Sequence, residues 1–413
     1  MDSRTQPEAA SLLNGGSHEP SRLGWQIVAA SGCRLMLNTA RRFAYPFAPA
    51  LSRGLQVPLT AVTAMVAATQ IAAFLGLFSG PLADRWGYRR MMLLGLGLMA
   101  GGMLAVGVAP VYPMVLLALF LAGMGKNIYD PAIYGFTGKR VPFSQRGRVT
   151  GFLEFSWAAS ALVGMPLIGL LIEKQGWRAP FWWLGGLGVV FIVLTAWLLP
   201  RDLVTRRDQS GSGLSSAWRR VLKEPAALGL LGFTFWTSLG NDQLFVVYGA
   251  WMENAFHLGV GTLGLTTMVI GAAELAGEGL IVALSDRIGL KRSALVGCLL
   301  SAGGYFLLPF VSRDLTAALA GLFLIFMTFE FSMVSAISLS TEVLPEFRAT
   351  MMSAFYTAAG LGRLLGALMG GTVWLFGGLS AVGIISSLAT VAALASLILG
   401  LRERSSGFKQ PAR

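Results

Sequence analysis

The sequence predicts an all-α membrane protein with twelve transmembrane helices in two pseudo-symmetric six-helix bundles. Three observations support this prediction. Of the 413 residues, 54% are hydrophobic and only 13% are charged, whereas an ordinary soluble domain is about 25% charged. The apolar runs 91–108 and 381–399 are continuous, so they lack the alternation of an outer-membrane barrel. The third observation is an internal repeat.

Hydropathy predicts six helices on each side of a polar segment, because roughly 20 apolar residues cross a bilayer core about 30 Å thick. The predicted spans are 24–50, 59–80, 91–112, 113–136, 149–172, 179–199, 225–251, 260–285, 293–311, 315–340, 349–376 and 379–401. The predicted domains are an N-terminal tail at 1–23, bundles at 24–199 and 225–401, a basic linker at 200–224 and a C-terminal tail at 402–413. We expect the linker to be flexible at 210–216, which is rich in Ser and Gly.

The net charge of +12, from 32 Lys and Arg against 20 Asp and Glu, would suggest nucleic-acid binding in a soluble protein. If the N-terminus is cytoplasmic, 23 of the 32 cations fall in cytoplasmic segments, four in external loops and five inside spans. Lys and Arg collect in cytoplasmic loops of membrane proteins. We therefore expect both termini in the cytoplasm and no nucleic-acid partner. The polar start of the chain also lacks the apolar core of a removable signal peptide.

The internal repeat is clearest in a basic loop that occurs twice. Residues 80–90 read G-P-L-A-D-R-W-G-Y-R-R, and residues 282–292 read V-A-L-S-D-R-I-G-L-K-R, at an offset of 202. An offset that contains six spans preserves direction, so it predicts two bundles in parallel orientation. The first copy matches G-x-L-x-D-R-x-G-x-[RK]-[RK], and the chain thereby resembles the major facilitator superfamily over nearly its whole length.

The resemblance implies a transporter of this superfamily's fold, with a latch that holds the cytoplasmic side closed. Gly80 and Gly87 would permit tight turns, and the loop arginines could pair with Asp130 and Glu154. The alternative is a charge cluster that only sets topology. The predicted latch residues are Gly80, Asp84, Arg85, Gly87, Arg89, Arg90, Asp130, Glu154, Asp286, Arg287 and Arg348. The fourth span departs from proton-coupled drug exporters of the superfamily, since Leu119 stands where they usually carry Arg.

Polar residues inside the first and seventh spans predict a substrate site, since charges in a bilayer normally face a cavity or a partner. Their helical spacing places those of the first span on one stripe. The candidate substrate-binding residues are Arg34, Asn38, Arg41, Arg42, Tyr45, Lys126, Asn241 and Tyr248. Guanidinium groups suit a carboxylate or phosphate, so we expect a substrate with an anionic group. The alternative is that the arginines pair with buried acids, including Asp242, purely for structure, and that Lys126 pairs with Asp130.

Acidic residues inside the C-terminal spans predict proton coupling, because burial favours the neutral form of a carboxylic acid and suits reversible protonation. The candidates are Asp242, Glu274, Glu278 and Glu330, with Arg363 as their basic neighbour. The alternative is a static ion pair with Arg363.

The sequence predicts no cofactor, no metal site and no enzyme, because His18 and His257 are the only histidines and no catalytic motif is present. Cys33 and Cys298 lie in apolar runs and predict no disulfide. We expect a monomeric secondary transporter of a bacterial inner membrane, with a small-molecule substrate, protons and membrane lipid as partners. Its predicted activity is proton-coupled export of an amphiphilic compound. Lipid flipping and organic-anion uptake are the alternatives, and a non-transporting membrane enzyme or sensor is a third.

Overall fold

The computed structural model describes residues 19–141, 143–200, 214–344 and 348–402, and every regular element in these ranges is helical. A π-helical turn, Ser160–Gly164, joins α6 to α7. The helices are α1 (Glu19–Arg42), α2 (Ala48–Leu55), α3 (Leu59–Trp86), α4 (Tyr88–Val108), α5 (Tyr112–Arg140), α6 (Phe143–Ala159), α7 (Met165–Gln175), α8 (Ala179–Leu198), α9 (Leu214–Lys223), α10 (Pro225–Phe256), α11 (Val260–Ile288), α12 (Leu290–Val311), α13 (Leu315–Val343) and α14 (Arg348–Arg402). The predicted all-α class is confirmed.

Two predicted segments differ from the observed helices. The predicted first span is broken, because α1 ends at Arg42 and residues 43–47 form turns before α2 begins. Pro46 lacks the N–H that an unbroken helix requires, which accounts for the break. The C-terminal part of the segment predicted to be flexible is helical, since α9 begins at Leu214. The rest of that segment lies outside the described residues.

Helix α14 contains a break between two predicted spans. Gly377 and Gly378 have non-helical dihedral angles, and Gly378 has a positive φ of 56°. A residue without Cβ reaches this region of φ at little cost. The break lies in the gap predicted between spans 349–376 and 379–401.

Eight helices in the described ranges are long and apolar enough to cross a membrane, or nine if the bent pair of α2 and the start of α3 is one span. Helix α1 is not among the eight, and it carries four arginines. Helix α14, with 55 residues and a break, is counted as one of the eight helices. The twelve-span count therefore stays a prediction, as does the cytoplasmic position of the termini.

The backbone reproduces the sequence repeat. Among the described residues, six have a positive φ. Each of the six follows a helix and is left-handed or extended. They form three pairs separated by 201 or 202 positions: Gln56 with His257, Gly87 with Gly289, and Gly176 with Gly378. Two halves of the chain thus terminate equivalent helices in the same way.

The helices form two bundles that meet at one end. In the first bundle α4 packs against α5 and α8, and in the second α10 packs against α14. Contacts between bundles join α3 to α14, α7 to α11 and α2 to α10. Short connections make successive helices alternate in direction. We call the end that holds α2 the α2 end, and the end that holds α9 the linker end.

The bundles are tightly packed at the α2 end. A Cβ added to Gly249 would lie 1.9 Å from the backbone oxygen of Pro46, and one added to Gly371 would lie 2.7 Å from Oγ1 of Thr63. The main apolar core includes residues of both bundles there, such as Leu51 and Trp251. A second core cluster at the linker end contains only residues of α9 and the C-terminal bundle. Apolar packing therefore closes the molecule at the α2 end.

Candidate functional site

The N-terminal bundle contains a cluster of charged side chains. Nε of Arg34 lies 3.0 Å from Oδ1 of Asp130, and Nη2 of Arg34 lies 3.5 Å from Glu154. Lys126 forms a short ion pair with Asp130, and the hydroxyl of Tyr134 donates a short hydrogen bond to Glu154. Helices α1, α5 and α6 supply these groups. Arg34 is thus neutralised within its own bundle.

Arg42 joins the two bundles through a buried ion pair. Its Nη2 and Nη1 donate to the two carboxylate oxygens of Glu274 at 2.7 and 3.1 Å, and both side chains are about 95% buried, with 4% and 5% exposed. The guanidinium also donates to the backbone oxygen of Trp157 at 3.3 Å and lies 4.2 Å from the centre of its indole ring. A bidentate pair of this kind holds α1 and α6 against α11.

A chain of hydrogen bonds crosses between the bundles beside this pair. Arg41 donates to Oε1 of Gln70 at 2.8 Å, Nε2 of Gln70 donates to the hydroxyl of Tyr45 at 2.9 Å, and that hydroxyl donates to Asp242 at 2.8 Å. Arg363 lies 3.8 Å from the same carboxylate. The chain begins at a cation of one bundle and ends at a carboxylate of the other.

The two remaining carboxylates of the C-terminal spans are Glu278 and Glu330, and both are half-buried. The charge of Glu330 interacts with Glu274, Glu278 and Arg363, and that of Glu278 interacts with Glu154. Within the described residues neither makes an ion pair. Four carboxylates from α6, α11 and α13 therefore face one another with fewer cations than acids.

Two polar residues, one in each bundle, are exposed in the half of the molecule that holds the linker end. Tyr356 of α14 is 55% exposed, although it faces Glu154, Asp130 and Arg34 of the other bundle. The side chain of Glu154 is 46% exposed. Exposed polar groups of the two bundles therefore lie away from the closed α2 end.

The structure brings together most of the predicted substrate residues, but three of them bond within a bundle. Asn38 donates to Ser156 at 3.3 Å, Asn241 accepts from Tyr305 at 2.9 Å, and the hydroxyl of Tyr248 lies 2.6 Å from Oγ1 of Thr266. Tyr45 differs from Tyr248 in this respect, since Tyr45 contacts the opposite bundle by a hydrogen bond to the carboxylate of Asp242.

The predicted latch is described only in part. Gly87 has a φ of 90° between α3 and α4, Arg90 and Arg287 are exposed, and Arg89 donates to the backbone oxygen of Ala196. Asp130 and Glu154, the expected partners of the loop arginines, bond to Arg34, Lys126 and Tyr134. Their pairing with the loop arginines stays a prediction. The side chains of Asp84, Arg85, Asp286 and Arg348, and the environment of Gly80, lie outside the described residues.

Sequence reasoning missed two partners of the site. Gln70 is a lone amide in the apolar second span, and that isolation was the available signal for it. Tyr305 bonds to Asn241 from α12, and no local pattern distinguishes it from an interfacial aromatic residue. Among the described residues, no group of three or more His, Cys, Asp or Glu is arranged to hold a metal ion.

Known transporters are similar to this chain in sequence. The uncharacterised MFS-type transporter YceJ of Bacillus subtilis (strain 168) is 25% identical over 302 residues, which cover 73% of this chain and 77% of that protein. The multidrug resistance protein MdtH of Salmonella arizonae is 31% identical over 151 residues, 36% of each chain.

Solved structures share the fold. A bacterial homologue of the human lysosomal transporter Spinster, in an inward-facing and occupied conformation, matches with a TM-score of 0.77 at 16% identity, covering 95% of this chain and 100% of that one. The D-xylose–proton symporter matches with a TM-score of 0.73 at 16% identity, covering 89% and 96%. The family model of the Major Facilitator Superfamily matches residues 30–248 and 231–413. This chain therefore belongs to the Major Facilitator Superfamily, and it is a multi-pass membrane transporter rather than an enzyme.

Proposed function

We propose that the protein exports small amphiphilic compounds with an anionic group in exchange for protons, by alternating access of one central site. The observation that carries the proposal is the charge distribution between the bundles. The carboxylates Glu278 and Glu330 lack an ion pair among the described residues, while the other spanning acids contact cations. A transporter of this fold has its substrate site at the interface of its two halves.

Glu330 is the best candidate for the coupling proton. It is half-buried and interacts with the like charges of Glu274 and Glu278, and within the described residues no ion pair offsets them. Glu274 is less suited, because Arg42 holds its charge with two hydrogen bonds. Proton uptake at Glu330 would lower the repulsion among the four carboxylates. It would thereby favour approach of the bundles at the linker end.

Arg41 is the best candidate for the anionic group of a substrate. Arg34 and Arg42 are neutralised by carboxylates, whereas Arg41 donates to the uncharged amide of Gln70. Within the described residues no carboxylate lies within 4 Å of Arg41. An organic anion at this guanidinium would also neighbour the aromatic ring of Tyr45, stacked on Phe245 at 4.5 Å.

Export is favoured over uptake by the similarity to a multidrug resistance protein, which covers about a third of the chain. The bacterial relatives favour a bacterial inner membrane, where we expect the protein to act as a monomer. In a transport assay, organic-anion uptake would appear as transport in the opposite direction. Lipid flipping would appear as transport of lipid. The basic loops after α3 and α11 are proposed as the conformational latch.

The test begins with thermal stabilisation of the purified protein by a panel of amphiphilic organic anions and lysolipids. Arg41→Ala should abolish stabilisation by the compounds that bind, and Arg41→Lys should retain part of it. The best compound is then used in proteoliposomes with an imposed proton gradient. Glu330→Gln should stop proton-driven accumulation and spare downhill exchange.

The matched control is Glu342→Gln, because Glu342 is an exposed acid on the same helix as Glu330. It should leave both driven and downhill transport unchanged. Proton-driven accumulation that persists in both Glu330→Gln and Glu278→Gln would exclude these carboxylates from coupling. Stabilisation only by organic cations would reject the anionic substrate.

A further inference from the structure

Helix α9, in the linker between the bundles, is amphipathic in an unusual way. Val221 is fully buried and Trp218 packs beside it against the core of the C-terminal bundle. Arg219, Arg220 and Lys223 are all exposed. The helix contains no acidic residue, although the half-buried Glu224 follows it directly. One face anchors the helix to the bundle, and the other presents three cations.

An apolar residue also lies on the exposed side of α9. Leu222 is 58% exposed and is three residues from Arg219, so the two side chains share one face of the helix. Leu228 near the start of α10 is exposed as well. Helix α10 begins at Pro225, directly after Glu224. An exposed apolar surface therefore continues from α9 onto a helix predicted to span the membrane, where exposed leucines face lipid.

We propose that α9 is an interfacial helix that binds the headgroups of anionic phospholipids in the leaflet at the linker end. Amphipathic helices with Lys and Arg on the polar side and Leu or Trp on the other lie in the membrane interface. The three cations complement a lipid phosphate, and Leu222 enters the acyl region beside it. This binding is independent of the transported substrate, because α9 lies outside the space between the bundles.

The charge predicts the size of the effect. Each Lys or Arg close to an anionic membrane surface increases affinity about fivefold at low ionic strength. Replacing all three cations should therefore weaken binding of an anionic lipid by about 100-fold, and by less at physiological salt because of screening. Binding of a zwitterionic lipid should change little.

The experiment measures lipid retention by the full-length protein in a neutral detergent. Native mass spectrometry gives the dissociation constants for phosphatidylglycerol and phosphatidylcholine. The variant Arg219→Gln/Arg220→Gln/Lys223→Gln is compared with the wild type. A matched control removes three exposed cations at the α2 end, by Lys174→Gln/Arg178→Gln/Arg313→Gln. The α9 variant should lose most of its preference for phosphatidylglycerol, and the control should keep it.

Two further measurements separate a lipid from a free phosphate. Leu222→Ser should weaken phosphatidylglycerol binding severalfold with all charges retained, and soluble glycerol phosphate should not compete. The proposal is overturned if the α9 variant binds phosphatidylglycerol as the wild type does, or if the control loses as much. Full competition by glycerol phosphate would also overturn it.

Discussion

Two Arg–Glu pairs join the bundles with nearly the same geometry. The arginine is buried in one pair and exposed in the other. Arg42 bonds Glu274 at 2.7 and 3.1 Å, and Arg53 bonds Glu253 at 2.7 and 3.1 Å. The side chains of the first pair are 4% and 5% exposed, whereas those of Arg53 and Glu253 are 60% and 16% exposed. Comparing Arg42→Gln with Arg53→Gln therefore isolates the effect of burial on an inter-bundle ion pair.

The expected magnitudes differ several-fold. Arg42→Gln leaves the carboxylate of Glu274 buried without a counter-charge, which costs about 3–5 kcal/mol of stability. Arg53→Gln should cost about 1 kcal/mol, because Arg53 is exposed and water screens its charge. The stacking of Arg42 on Trp157 at 4.2 Å adds to the difference.

The assay is reversible unfolding in mixed micelles, with the free energy of unfolding obtained for each variant. Glu274→Gln alone should lower the stability less than Arg42→Gln does. The reason is that it also removes the repulsion between Glu274 and the neighbouring carboxylate of Glu330. The double variant Arg42→Gln/Glu274→Gln should recover at least about 2 kcal/mol relative to the sum of the single variants, since no unpaired charge remains.

Two results would refute the reasoning. One is an equal loss of stability in Arg42→Gln and Arg53→Gln, which would mean that burial does not decide the strength of these pairs. The other is strict additivity of the double variant, which would mean that the two side chains do not interact. A measurement of downhill transport in the same variants then shows whether the buried pair also sets the rate of opening.

Three further predictions test individual contacts. Tyr45→Phe removes two hydrogen bonds of the chain between the bundles and should cost about 1–3 kcal/mol in the same unfolding assay; an unchanged value would show that the hydroxyl is dispensable. Gly289→Ala should lower the stability by about 1–3 kcal/mol because the φ of Gly289 is 86°. Gly279 has equally open space around a Cβ but lies within a helix, so Gly279→Ala should stabilise the protein slightly. Equal effects would contradict a backbone cause. Gly249→Ala would place a Cβ 1.9 Å from a backbone oxygen of the other bundle and should speed maleimide labelling of a cysteine introduced before α2, whereas Gly101→Ala, with open space, should not.

Local patterns in the sequence were sufficient to predict much of the fold. Continuous apolar runs predicted the helices, and the break at Gly377 and Gly378 fell where two spans were expected to meet. The repeated basic loop predicted two related halves, and Gly87 and Gly289 end equivalent helices with nearly equal φ. The first span was predicted to run through the break after α1, since periodicity does not report how far a proline disrupts a helix.

The candidate site was less accessible from the sequence. The spacing of polar residues on α1 predicted a stripe, but it did not predict which group each arginine would bond. Arg34 bonds acids of its own bundle, whereas Arg42 bonds Glu274, which is 232 residues away. Gln70 was missed because one amide in an apolar span has no periodic signal.

The sequence by itself determined that this chain is a helical membrane transporter with two related halves. It also determined which residue types lie inside the spans. Tertiary structure alone decided how those charges are paired, and therefore which groups remain available to a proton or a substrate. The physical reason is that helical periodicity sets the direction of each side chain from its own axis, while the helix that this direction meets depends on packing between segments far apart in the chain.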